Sequence, residues 1–299
     1  MRRSFFVIAN PGAGLSISPL VEKVTAALRN AGASLTTIQP STVDGARQAA
    51  REAASSGRHD AVVAAGGDGT IRQVAAALLG SDMPLGIIPH GTGNVLAHEI
   101  GLRPEPSAIA RMLLEGPITT VRCATANREP FLLMAGAGFD GRVIAAVDHR
   151  FKSYVGKVAY AAPVLGALTH PIDSLSVTVD GTHHEASWAV IANARHYGGR
   201  FVLAPRHGIH LRGLQAVLFT AKTRAERLAQ LLSLAMGKLD ERAATHGDVR
   251  MIPCARATIT ARVPVPAQID GDAFGTTPLE IESSSEELRL VLPASAARP

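Results

Sequence analysis

The stretch Ala61–Gly80, AVVAAGGDGTIRQVAAALLG, decides how the chain is read. An apolar run, Ala61–Ala65, ends in Gly66-Gly67-Asp68-Gly69-Thr70 and passes at once into Ile71–Leu79, whose apolar residues fall at helical spacing. A strand that feeds a helix through glycines is a natural anion site. Glycine permits positive φ and close approach of the backbone, and the unpaired N–H groups of the helix start point at the ligand. Asp68 repels phosphate by itself, so a carboxylate at this place implies a Mg²⁺ between it and the phosphates. The competing explanation is a tight strand-to-helix turn capped by Asp68 or Thr70.

Working outward, Leu85–Asn94, LGIIPHGTGN, repeats the pattern of strand, Gly/Thr/Asn loop and helix. Near the start, the apolar run Phe5–Ala9 ends in Asn10-Pro11-Gly12-Ala13-Gly14. Three glycine-rich loops at the ends of parallel strands share one rim of an α/β sheet, where such proteins bind ligands. No G-K-[ST] follows the glycines, so this is not a Walker A loop, and the first strand is not followed by G-x-G-x-x-G. Between these loops the alternation continues, with helices expected over Pro19–Asn30, Asp44–Ser56 and Asn94–Ile100 and strands over Ser34–Ile38 and Leu85–Ile88. A mainly parallel sheet covered by helices follows.

After about Arg122 the texture changes. Phe131–Ala135, Ser174–Val179, Trp188–Ile191, Ala216–Phe219, Ala257–Ala261 and Leu288–Val291 read as strands. Two long helical stretches interrupt them, Gly141–Leu168, with a possible break at Pro163, and Arg224–Leu239. The expectation is an α/β N-terminal domain over 1–122 and a second domain over 123–287, rich in antiparallel β structure.

Composition narrows the function. Of 299 residues 46% are hydrophobic and 18% charged, which excludes a disordered chain. Two distant cysteines, Cys123 and Cys254, form neither a disulfide framework nor a thiolate zinc site, and a reducing compartment fits. No apolar run approaches the ~18 residues of a membrane span, and Phe5–Ala9 is too short for a signal-peptide core, so the expected location is cytoplasmic. The net charge of +5 is spread along the chain, and aromatics make up 4%. That favours an anionic small-molecule or lipid partner over nucleic acid.

The combination NPGAG, GGDGTIRQV and PHGTGNVLAHEIGL resembles the diacylglycerol kinase catalytic domain of bacterial lipid kinases and sphingosine kinases, distant relatives of NAD kinases. The resemblance continues through AGAGFDGRVI (135–144), KSYVGKVAYAAPVL (152–165), ANARHYGGRFVLAP (192–205) and QIDGD (268–272), so it covers nearly the whole chain. It implies an α/β domain, a C-terminal β sandwich, and ATP with Mg²⁺ bound between them. It also implies that a final segment, 288–299, returns to the first domain. Carried over by position, Asn10, Gly66, Gly67, Asp68, Gly69, Thr70, Thr92 and Asn94 contact the phosphates, with Thr42 near the nucleotide. Asp68 organises the metal. The family's Asp-Gly-Glu stands here as Asp270-Gly271-Asp272, which makes Asp272 the candidate base for the lipid hydroxyl; Asp270 either orients the site or is the base itself. Taken alone, Asp-Gly between strands is also an ordinary hairpin turn.

Three departures bear on that implication. Val95 stands where many members have Asp. Asp272 is one methylene shorter than Glu, about 1.5 Å less reach, and small displacements at a reacting centre matter. Arg206, His207, His210 and Arg212 occupy a region where some bacterial members hold a structural Mg²⁺, so that second site is expected to be missing. The implied function is transfer of the γ-phosphate of ATP to a hydroxyl of a diacylglycerol-like or sphingoid lipid, part of phospholipid metabolism. The protein would be peripheral at the inner membrane face, and a homodimer is compatible with the sequence. The rivals are an NAD kinase-like enzyme for a soluble substrate and a nucleotide- or lipid-binding regulator with impaired catalysis.

Other residues have plainer readings. His183-His184 shows no zinc spacing, and Trp188 reads as core. Leu228, Leu231, Leu232, Leu234, Ala235 and Leu239 form a stripe that either docks on the β domain or meets lipid. Phe151–Leu168, with Lys152 and Lys157, offers a similar choice.

Overall fold

The computed structural model describes residues 1–10, 18–147 and 161–294. The chain forms two compact units, one from Met1–Arg122 together with the segment from Ser285, the other from Cys123–Ser284.

In the first unit the strands β1 (Ser4–Ala9), β2 (Ser34–Ile38), β3 (Ala61–Gly66) and β4 (Leu85–Pro89) lie parallel in the order β2-β1-β3-β4. Val7 pairs with Val63, and Val63 with Gly86. The central strands β3 and β4 are buried throughout, which is why they read as unbroken apolar runs. The connection from β1 to β2 carries α1 (Pro19–Asn30); those to β3 and β4 carry α2 (Val43–Ser55) and α3 (Asp68–Leu78) and run in the opposite direction. Right-handed crossovers in opposite directions place α1 on one face and α2 and α3 on the other. Accordingly α2 packs on α3, and α1 packs on α5 (Pro106–Glu115), a helix that follows the short α4 (Val95–Glu99). The reversal of direction falls between β1 and β3, the topological switch point.

The second unit is a sandwich of antiparallel sheets. One has the order β14-β13-β10-β7-β16-β17, built from Val249–Cys254, Leu214–Phe219, Trp188–Ala192, Met134–Ala137, Pro266–Ile269 and Asp272–Thr276. The other pairs β15 (Arg256–Ala261) with β8 (Leu175–Val179), and β8 with β9 (Thr182–Ala186). Phe131, Ile191, Leu218, Val177, Ile259 and Ile281 meet in the core between the sheets. The chain passes from unit to unit inside two strands, β5 (Ile118–Ala126) and β18 (Leu279–Val291). The first half of β18 pairs with β15, and Leu290 near its end runs parallel to Leu85 of β4.

Several sequence expectations need correction. Phe131–Ala135 is not one strand: it splits into the end of β6 (Glu129–Phe131) and the start of β7, with Leu132 and Leu133 between. The helical stretch after Gly138 is α6 (Phe139–Ala146), and α7 (Ala161–Thr169) contains Pro163 in its first turn, where proline needs no N–H partner. Residues 148–160 of the expected helical stretch lie outside the described residues. Lys152 and Lys157, and the loop residues Pro11–Gly14, lie outside the described residues. Arg224–Leu239 is two helices, α8 (Arg224–Ala235) and α9 (Leu239–His246), separated at Gly237, whose φ of +70° suits glycine.

The stripe on α8 does not dock as one face. Its buried side is Arg227, Gln230, Ser233 and Leu234, while Leu228 and Leu232 are exposed. The reason is polar. The Arg227 guanidinium donates to the carbonyls of Ala167, His170 and Pro171 at 2.7, 3.0 and 3.1 Å, closing the C-terminal end of α7, and Gln230 Nε2 donates to Asp248 O at 2.9 Å. Replacing Arg227 by Met leaves those carbonyls unmet, with an expected loss of about 2–4 kcal/mol in urea unfolding. The double variant L228S/L232S, on the exposed side, changes the same quantity by only about 0.5 kcal/mol or less.

Candidate functional site

The switch point brings together loops that lie far apart in sequence. The Asn10 amide N–H extends the β1–β3 ladder to Ala65 O at 2.9 Å, and its side-chain Nδ2 donates to Thr70 Oγ1 at 2.9 Å. Helix α3 begins at Asp68, three residues before the apolar periodicity, so Asp68, Gly69 and Thr70 make up its first turn. Gly67 is its N-cap and makes no side-chain cap bond, and the N–H groups of a helix start are the kind that receive an anion. Two glycines are required by crowding. A Cβ on Gly66 would stand 2.5 Å from Thr70 Cβ, and one on Gly91 would stand 2.6 Å from the Gly67 Cα.

Asp68 joins the second glycine-rich loop. Its Oδ2 accepts from Val95 N at 2.9 Å and its Oδ1 from Leu96 N at 3.1 Å. A carboxylate from one loop thus caps α4, the helix that follows the other. Asn94, the N-cap of α4 by position, has φ +47° and makes no cap bond; its Oδ1 accepts instead from Gly91 N at 2.7 Å. Val95 keeps a role through its backbone, although its buried side chain adds no polar group. Thr42 caps α2, accepting from Gly45 N at 3.0 Å, at the carboxyl end of β2 and hence on the same edge of the sheet. Thr92 lies between Gly91 and Asn94 in the second loop and is partly buried.

These residues suit a Mg²⁺–triphosphate. Mg²⁺ takes one or two carboxylates together with phosphate oxygens and retains water. The amides of Val95 and Leu96 fix one oxygen each of the Asp68 carboxylate where the two loops meet. The first turn of α3 supplies backbone donors beside it.

In the second unit the other predicted residues form a two-residue hairpin turn between β16 and β17. Asp270 and Gly271 both have positive φ, +49° and +82°, and Ile269 pairs with Asp272. The buried Asp270 carboxylate accepts from Leu132 N (2.8 Å), Leu133 N (2.8 Å) and Met134 N (3.0 Å). It therefore holds the irregular backbone between β6 and β7. Asp272 opens β17 and is half-buried.

Three polar residues not singled out as site residues in the sequence support this turn. Asn193 donates to Leu132 O at 2.7 Å from the other side of the same segment. Gln268 donates from Nε2 to Asp140 Oδ2 at 2.9 Å and accepts on Oε1 from Gly271 N at 2.9 Å. Asp140 also accepts from Gly141 N at 2.8 Å. With a carboxylate on one side and an amide N–H on the other, only one orientation of the Gln268 amide satisfies both. The Trp188 indole N–H stands near Asp140 and helps hold its charge, yet falls short of hydrogen-bond geometry. The available signal was a polar residue inside an apolar pattern, at Gln268 in PAQI and Asp140 in AGAGFDG.

Burial pushes Asp140 up from the ordinary carboxylate value to about 7, against the lowering effect of its hydrogen bonds to Gly141 and Gln268.

The sequence comparisons follow this division. Residues 4–126 match the model of the diacylglycerol kinase catalytic domain, and residues 134–292 match the YegS C-terminal NAD kinase beta sandwich-like domain. The chain belongs to the diacylglycerol kinase family. It is 28% identical over 249 residues to a diacylglycerol kinase of Mycobacterium tuberculosis, covering 78% of this chain and 77% of that protein. It is 29% identical over 245 residues to an uncharacterised protein of Synechocystis; that match takes in 78% of this chain but spans only about half (54%) of the relative. A solved diacylglycerol kinase structure from Bacillus anthracis shares the fold, with TM-score 0.78 at 21% identity, over 99% of both chains.

A carboxyl group whose native pKa is raised binds more protons when folded than when unfolded, so its contribution to stability is complete below about pH 4 and is lost as pH rises towards 7. Wild type therefore loses stability relative to D140N across that window, by about 4 kcal/mol. Denaturant unfolding of both proteins at a series of pH values reads the difference.

Proposed function

We infer that the protein is an ATP- and Mg²⁺-dependent lipid kinase, acting on a hydroxyl of a diacylglycerol-like or sphingoid lipid. The observation that carries the reading is the cross-linked pair of glycine-rich loops at the switch point, Asn10 to Thr70 and Asp68 to Val95 and Leu96, in a chain of this family. Phosphoryl transfer needs little covalent help from the protein; it needs charge neutralised and partners held in line. The α3 amides and the Asn10–Thr70 pair hold the phosphates. A Mg²⁺ on Asp68 would offset the charge of the triphosphate and its leaving group.

The base is assigned to Asp272 rather than Asp270. Asp270 is committed to three backbone amides, and protonating it would weaken all three. As the lipid oxygen bonds to the γ-phosphorus, the bond to the β–γ bridging oxygen breaks and ADP leaves; the hydroxyl proton passes to Asp272. Gln268, held by Asp140, fixes the turn from which Asp272 projects.

The test is transfer of label from γ-labelled ATP to diacylglycerol, sphingosine or NAD presented separately. Label in a lipid supports the reading, label in NAD replaces it with a soluble-substrate kinase, and ATP binding with no label anywhere leaves a nucleotide-binding regulator. D272N is expected to lower turnover about 10²–10⁴-fold with ATP affinity retained. In D68A, transfer is lost while the unfolding transition stays cooperative; full activity in that variant would remove Asp68 from the mechanism.

A further inference from the structure

Helix α8 is inside out for a surface helix. Of its twelve residues the exposed ones are Arg224, Ala225, Leu228, Leu232 and Ala235, whereas Arg227, Gln230 and Ser233 are turned inward together with Leu234. Leu228 and Leu232 are 46% and 52% exposed, and Met236, one turn on, is 62% exposed. Strand β12 (Phe201–Val202) packs against this helix, and its Phe201 is 42% exposed. The arrangement is stable because the inward polar groups are committed: Arg227 to three carbonyls, Gln230 to Asp248 O, and Ser233 Oγ to Ala229 O at 2.9 Å. The outward leucines take no part in those bonds.

The cations beside the start of the helix are exposed, and the acids that follow Met236, Asp240 and Glu241, are taken up by Arg206 and Lys238 at 3.5 and 4.0 Å. Arg224 lies one turn before Leu228, Lys222 precedes the helix, and Arg200 precedes Phe201; all three are exposed, and among the described residues none forms an ion pair. The acid of the helix, Glu226, lies on another face and accepts from Lys222 N at 2.7 Å, closing the N-terminal cap with Thr223. None of the exposed residues of α8 is acidic.

We propose that the exposed face of α8, with Phe201 beside it, is the surface by which the protein docks on anionic lipid. Leucine, methionine and phenylalanine enter the acyl boundary, while Arg224, Lys222 and Arg200 meet the headgroups. Charge complementarity selects this occupant. A second copy of the chain would bring the same cations against one another. The stripe is also too small for that purpose: a 12-residue helix is about 18 Å long, and a stripe about 10 Å wide covers on the order of 200 Å², against ~800 Å² per partner in a standard interface. The proposal deepens the lipid-kinase reading by placing the enzyme where its substrate is, but its test does not depend on turnover.

The experiment is flotation of the full chain with vesicles of phosphatidylcholine containing 30% phosphatidylglycerol, alongside pure phosphatidylcholine. Wild type is expected to float with the anionic vesicles and to bind at least about tenfold more weakly to neutral ones or at 0.5 M salt. L228S/L232S and, separately, R200E/R224E are each expected to weaken binding about tenfold or more without changing the unfolding midpoint. Failure of wild type to float, or unchanged flotation of both variants, overturns the proposal. So does a dimer in solution that L228S/L232S dissociates, since the face then belongs to a second copy. Flotation as expected, with no label transferred to any lipid, keeps the docking surface and removes the kinase reading.

Discussion

Asp68 accepts hydrogen bonds from the amides of Val95 and Leu96, and the two glycine-rich loops take shape around that contact. A negative charge at a helix start is favourable through the unmet N–H groups and the helix dipole. Here the charge comes from the preceding βα loop instead of the helix's own cap. The two loops are thereby fixed to each other, and the glycine at 91 is needed because a Cβ there would stand 2.6 Å from the Gly67 Cα. Asn94, released from capping, turns back to Gly91 and stiffens its own loop. One carboxylate therefore builds the site's framework while also being its candidate metal ligand.

The parallel sheet was legible because burial on both faces removes alternation. AVVAAG and LGIIP admit little besides central strands, and Pro19–Asn30 shows its own start through Ser18 and Pro19. The start of α3 was set too late, at Ile71, because periodicity detects only the residues that face the core; Asp68, Gly69 and Thr70 belong to the helix without touching it. The division of Phe131–Ala135 was invisible for a different reason. Its cause is Asp270, more than 130 residues away, whose carboxylate gathers the amides of Leu132, Leu133 and Met134. A tertiary hydrogen bond overrides a local apolar run. The candidate site in the glycine loops rests on local chemistry, whereas the Asp140–Gln268 support required knowing which strands are neighbours.

Helix α8 shows the limit of apolar counting. Its leucines suggested a docking face, yet the helix is held by a buried arginine that serves as the missing cap of α7. The guanidinium carries five donors in a fixed fork, which suits several carbonyls at a helix end better than a lysine would. Burial lowers the Arg227 pKa, with nearby Asp173 acting in the opposite direction. Asp173 also pairs with Arg142 of α6, so the charges behind α7 and α8 are shared between neighbouring elements.

Strand β18 lends its two halves to different units, and this has a consequence for synthesis on the ribosome. The first 122 residues emerge with the outer edge of β4 unpaired, and its neighbour at Leu290 appears only after the intervening unit of about 160 residues has been made. At translation rates of roughly 5–20 residues per second, the parallel sheet waits on the order of 10–30 s with an open hydrogen-bonding edge. The order of assembly is thus set by the position of a single strand in the sequence.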